Sequence, residues 1–220
     1  MKFFFIITIL TFFTKTFAGQ EVGNGGGFCL LVDNSYAMYD SIVTINATFG
    51  ENRQSMPYAQ HLQLIRTQLH RLKEPKLKEF DLFISTLFSQ KTGSFYQWFA
   101  RTNLTLMWEP GLEPILPKQC RTRKQAVYYF IRPPNFGNTV DIIYDPTLLA
   151  QIAKQPNGGL QISYLLIHEW LWLFFSRTTY VNMATFNRLL QSEKLKTITV
   201  QDYTKIRAQL FPPETPRMSR

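Results

Sequence analysis

The run from Ile162 to Phe175 reads Ile-Ser-Tyr-Leu-Leu-Ile-His-Glu-Trp-Leu-Trp-Leu-Phe-Phe, with His168 and Glu169 in the middle of an otherwise greasy segment. A bilayer-crossing helix needs about 20 apolar residues and tolerates polar pairs poorly at its centre. This segment is too short and its polar pair too central, so it is expected to be a buried core helix, entered through Pro156-Asn157-Gly158-Gly159 and spanning Leu160 to Phe175. Spacings of three and four set Gln161, Tyr164, His168 and Trp172 along one seam of that helix, with Glu169 beside it. A buried, unpaired glutamate is costly, so Glu169 must be neutral, paired or solvated.

The rest of the chain is expected to wrap this helix. Leu62, Ile65, Leu69 and Leu72 recur at helical spacing over Ala59 to Lys73, and His61 and His70 on that segment read as solvent-facing. A second amphipathic helix begins at Glu74-Pro75 and turns Leu77, Phe80, Phe83, Ile84, Leu87 and Phe88 inward, making a helical hairpin. Further helices are expected from Pro146 to about Lys154, from about Val181 to Leu195, and from about Val200 to Leu210, the last with Thr199 and Asp202 as a capping box. Five strand candidates remain: Phe28 to Val32, Ile42 to Phe49, residues 104 to 108, Ala126 to Arg132, and Val140 to Tyr144. The prediction is a single α+β domain over residues 28–211, with a small, mostly antiparallel sheet packed against several helices.

Met1-Lys2, an apolar run from Phe3 to Phe13, and Thr16-Phe17-Ala18 before Gly19 have the layout of a secretory signal cleaved after Ala18. The apolar run is too short for a transmembrane anchor, so the protein is expected in the periplasm or outside the cell. Residues 19–27, rich in glycine, read as a flexible lead, and residues 212–220 as a disordered tail. The formal charge is +9, or +7 once residues 1–18 are removed. A basic balance suits an anionic envelope polymer or another protein as partner; nucleic acid is not the expected one. Cys29 and Cys120 are expected to form one disulfide in an oxidising compartment, the other possibility being two buried free thiols.

His168-Glu169 within an apolar helix brings to mind zinc peptidases, where histidines at i and i+4 hold the metal and the glutamate activates water. Position 172 is tryptophan, whose indole nitrogen only donates and cannot ligate zinc. No cofactor is therefore expected, with zinc on His168 as the alternative. Glu109 and Glu113 could pair as glycosidase carboxylates, but their proline-rich setting reads first as exposed surface. Asn46-Ala47-Thr48 and Asn103-Leu104-Thr105 match glycosylation sequons. Lys118, Arg121, Arg123 and Lys124 cluster beside Cys120 as a solvated face or an anion site.

Several short motifs occur in order: Gly23-Asn24-Gly25-Gly26 with Cys29, Leu116-Pro117-Lys118-Gln119-Cys120 with Gln125-Ala126-Val127, Tyr144-Asp145-Pro146, and Ser163 through Trp172. They continue with Val181-Asn182, Thr185 and Leu189-Leu190-Gln191-Ser192. Together they resemble an uncharacterised family of exported bacterial proteins from predatory and other Gram-negative bacteria. The resemblance implies export, a Cys29–Cys120 pairing and a His-Glu helix followed by a second helix, and no particular activity. The chain departs from it at Gly27 and Phe28, where the family start usually carries an acid.

Two functions follow as expectations. The first is a non-catalytic envelope or interaction protein with His168 and Glu169 in a buried polar network. The second is a metal-dependent hydrolase with Glu169 as general base and His168 as metal ligand or acid.

Overall fold

The computed structural model describes residues 21–23, 26–42, 49–50, 56–90, 94–106, 118–132, 139–174 and 179–212. The expected signal over residues 1–18, the tail beyond residue 212, Glu109, Glu113, residues 43–48 of the strand candidate that starts at Ile42, and the Asn46 sequon lie outside them. The strands are β1 (Glu21–Gly23), β2 (Gly27–Leu30), β3 (Tyr36–Met38), β4 (Tyr96–Ala100), β5 (Thr122–Gln125), β6 (Val127–Ile131) and β7 (Val140–Tyr144). The helices are α1 (Tyr39–Ile42), α2 (Tyr58–Arg71), α3 (Leu77–Ser85), α4 (Pro146–Ala153), α5 (Gly158–Phe174), α6 (Tyr180–Gln191), α7 (Lys194–Thr197) and α8 (Val200–Leu210). The architecture is α+β in one domain, as expected.

Four strands form one sheet in the order β1-β6-β7-β4, and three form another in the order β3-β2-β5. All neighbours are antiparallel except β4 and β7, which run parallel with Trp98 opposite Ile142. The two sheets meet at Gly26 and Ala126: the Gly26 carbonyl accepts from the N–H groups of both Ala126 and Val127, each at 3.2 Å. One chain segment thus runs from β1 through Gly26 into β2, against a second running from β5 through Ala126 into β6. The glycine-rich stretch is therefore not a flexible lead where it is described: β1 pairs with β6, and Gly26 and Gly27 are buried. Glycine serves here for close approach, because a Cβ on Gly26 would collide with Leu165, Glu169 and Met38.

Helix α5 is the axis of the core. Nearly every side chain from Leu160 to Leu171 is buried, as an all-round apolar helix requires. Its start presses against the strand of chain before α2, where a Cβ on Gly159 would collide with the Met56 carbonyl. Helices α2 and α3 form the expected hairpin, tied at its surface by Arg66 to Asp81 at 2.7 Å, and α3 sets Phe80 edge-on against Trp170 of α5 at 4.8 Å between centroids. Pro146 opens α4 while Asp145 caps it, accepting from the Leu148 N–H at 3.0 Å. Thr199 caps α8 by accepting from the Asp202 N–H at 3.1 Å, one half of the expected capping box, while the Asp202 carboxylate takes the Thr199 hydroxyl at 2.8 Å.

Some local expectations are corrected. Ile42 ends a helical turn rather than opening a strand, because Asp40 and Ser41 fold back on Met38. Residues 104–106 join no sheet; the aromatic strand lies earlier, at β4, with Tyr96 and Trp98 buried on one face. The helix expected to reach Leu195 breaks at Ser192, which caps α6 in an extended conformation, and resumes as α7. His61 is buried rather than solvent-facing, because it shares the stripe of Ile65 and Leu69 at a spacing of four.

Candidate functional site

The polar seam of α5 faces α1 and α6. Gln161 accepts from the Met38 N–H at 2.7 Å and from the Ser41 hydroxyl at 3.1 Å, which fixes the short turn α1 against α5. That turn delivers Asp40, at 0% exposure, to His168, at 1%. Both Asp40 carboxylate oxygens lie by Nδ1 of His168, at 3.1 and 3.0 Å. Tyr180, at the start of α6, donates its hydroxyl to Asp40 Oδ1 at 2.7 Å. About two turns later Asn187 donates to Oδ2 at 2.6 Å and to the Tyr164 carbonyl at 2.8 Å, and Arg188 donates to the Asp40 carbonyl at 2.8 Å. Gln191 continues the row with a bond to the Ser163 hydroxyl at 2.8 Å.

Trp172, one turn after His168, donates its indole N–H to His168 Nε2 at 2.7 Å. An indole nitrogen only donates, so Nε2 acts as the acceptor and Nδ1 carries the proton directed at Asp40. The tryptophan that breaks the zinc-peptidase pattern in the sequence is thus the residue that caps the histidine. Burial alone would raise the Asp40 pKa. The electropositive His168 ring and the bonds from His168, Tyr180 and Asn187 outweigh it and hold the carboxyl below its ordinary value.

Glu169 is 1% exposed but faces elsewhere, about 100° further round the helix. Its Oε1 accepts from the Gly26 N–H, and its Oε2 has no hydrogen-bond partner among the described residues. Burial pushes its pKa up to about 7; His168 and the Gly26 N–H pull the other way, and Asp40 adds to the rise. His168 and Glu169, neighbours in sequence, are therefore committed to different partners on different elements.

An aspartate-held imidazole is the arrangement that orients a general base. Here the nitrogen that would face a substrate is capped by Trp172 inside the core. Among the described residues no three His, Cys, Asp or Glu side chains are grouped as a metal ion would need. Cys29 on β2 and Cys120 stand at disulfide distance, with Cα atoms 5.2 Å apart, a geometry compatible with a bond. Of the basic cluster, Arg121 reaches Asn34 at 3.5 Å, while Arg123 and Lys124 lie on β5.

Asp40, Tyr180, Asn187 and Arg188 are the members that sequence reasoning missed. Asn187 and Gln191 recur at i and i+4 on α6 between apolar residues, a spacing that sets both amides on one face of the helix. Asp40 carries no such signal, because its turn is too short to show periodicity. Compared with known family models, curated proteins and solved structures, the chain matches none.

Proposed function

We propose that this chain is an exported bacterial protein that works by binding an envelope component or another protein, and that the Asp40–His168 cluster braces it internally. The observation that carries the non-catalytic reading is the sealed histidine: Asp40 and His168 are buried, and both ring nitrogens of His168 have partners within the chain. The disulfide-compatible Cys29–Cys120 pair supports an oxidising compartment. No helix among the described residues is long and apolar enough to cross a membrane. The signal-like first residues and the resemblance to exported bacterial proteins point the same way, and the basic charge suits an anionic partner.

The hydrolase reading draws on the raised pKa of Glu169, which suits a general acid or base. That carboxyl, however, faces the Gly26 backbone inside the core. Labelling folded protein with diethyl pyrocarbonate, read site by site by mass spectrometry, separates the two. Exposed His70 should be modified first and His168 only on unfolding. Modification of His168 in the folded protein as fast as His70 would overturn the sealed, non-catalytic reading.

A further inference from the structure

Cys29 and Cys120 sit in unlike surroundings. Cys29 lies on β2, the central strand of the three-stranded sheet, with β3 and β5 on either side, and is 0% exposed within the core. Cys120 lies outside the sheet, just before β5, half-buried between the exposed Gln119 and Arg121. A thiolate opens a disulfide by attacking one sulfur from the side opposite the other, so access to that side decides which sulfur is hit. Behind Cys29 is packed core; behind Cys120 is the end of the sheet. Lys118 and Arg121, both exposed, flank Cys120 in the chain, and their charge draws an anionic attacker and steadies a thiolate there.

The fold also keeps the two cysteines together without the bond. β2 and β5 pair from Gly27 opposite Gln125 to Leu30 opposite Thr122, and the Arg121 N–H donates to the Leu30 carbonyl at 2.9 Å. Cys29, once freed, stays within reach of Cys120, and the core disfavours leaving it charged. We infer that Cys120 is the entry point for external thiols and the site of mixed disulfides, with Cys29 the buried thiol that expels them. The inference rests on the pair being bonded in an oxidising compartment, as proposed above. In the first step the attacker's sulfur bonds to Cys120 Sγ, the Sγ–Sγ bond breaks, and its electron pair leaves on Cys29, which takes a proton. With a monothiol, Cys29 attacks back at Cys120 Sγ and releases it. With a dithiol, the attacker's second sulfur attacks its first and expels Cys120 as a thiolate: the dithiol is oxidised to a disulfide, and the protein pair is reduced to two thiols.

The test begins with a thiol count on unfolded, unreduced protein. No free thiol is expected; free Cys29 and Cys120 would overturn the disulfide and the inference with it. Folded protein is then treated with dithiothreitol and pulsed with iodoacetamide, and the label is mapped by mass spectrometry. Singly labelled chains should carry the label on Cys120, with Cys29 slower by roughly tenfold or more until urea is added, as for a group reached only through opening. With oxidised glutathione, folded C29S should take the adduct at Cys120 roughly tenfold or more faster than folded C120S takes it at Cys29. Equal rates at the two cysteines, or Cys29 first, would overturn the assignment and leave the disulfide standing. So would a bond that dithiothreitol leaves intact until the protein is unfolded. The labelling of the parent decides the matter even where neither variant folds.

Discussion

Glu169 sits one position from His168 yet has a different electrostatic fate, because its carboxyl meets one backbone N–H where Asp40 meets three side-chain donors. The folded state holds the Glu169 proton until about pH 7, whereas the unfolded chain releases it near 4.5. A raised carboxyl pKa means the folded state binds more protons in that window, so stability falls as pH rises through it. The contribution is whole below pH 4.5 and gone above about pH 7. Asp40 has the opposite sign and a lower window: its depressed pKa gives stability above 3.8 that is lost only in stronger acid. Between pH 4.5 and 7, Glu169→Gln should therefore flatten the decline and leave the variant more stable than the parent at pH 8, by up to about 3 kcal/mol. Urea denaturation of both proteins at pH 4.5 and pH 8 measures this. A parent whose stability does not fall across the window would contradict the assignment of a buried, high-pKa Glu169.

At the scale of elements, long periodic segments were legible and short ones were not. Helices α2, α4, α5 and α8 lie within a residue or two of their sequence limits, because apolar spacing, a proline at the first turn and the Thr199 cap are local signals. Strands β1, β3, β4 and β5 and the turn α1 were missed. Each has three to five residues, too few for a period to show, and β1, β4 and β5 pair with strands far away in the chain. Gly26 shows why glycine content misled: its neighbourhood is tight rather than mobile, with Leu165, Glu169 and Met38 all under 3.0 Å from a Cβ built there. Gly26→Ala must displace the side-chain ends of Leu165, Glu169 and Met38, and should cost about 1–3 kcal/mol of unfolding free energy. A urea midpoint unchanged by Gly26→Ala would show that the junction is looser than described.

For the whole molecule, the cluster around Asp40 joins parts distant in the chain: α1 supplies the carboxylate, α5 the histidine, and α6 Tyr180, Asn187 and Arg188. The sequence made the α5 half of this site legible, through a polar pair that a greasy helix cannot leave unpaired. It did not show the partner, because Asp40 lies 128 residues away on a turn without periodicity. If the cluster is a structural brace, Asp40→Ala leaves the His168, Tyr180 and Asn187 donors buried without their acceptor and uncouples three helices at once. The most direct measurement is the urea-denaturation free energy of Asp40→Ala against the parent near neutral pH. A brace predicts a loss of at least about 3 kcal/mol, from three buried donors left unsatisfied at about 1–3 kcal/mol each, or failure to fold. A variant as stable as the parent or more so is the pattern of a residue kept for chemistry rather than structure, and would contradict the brace.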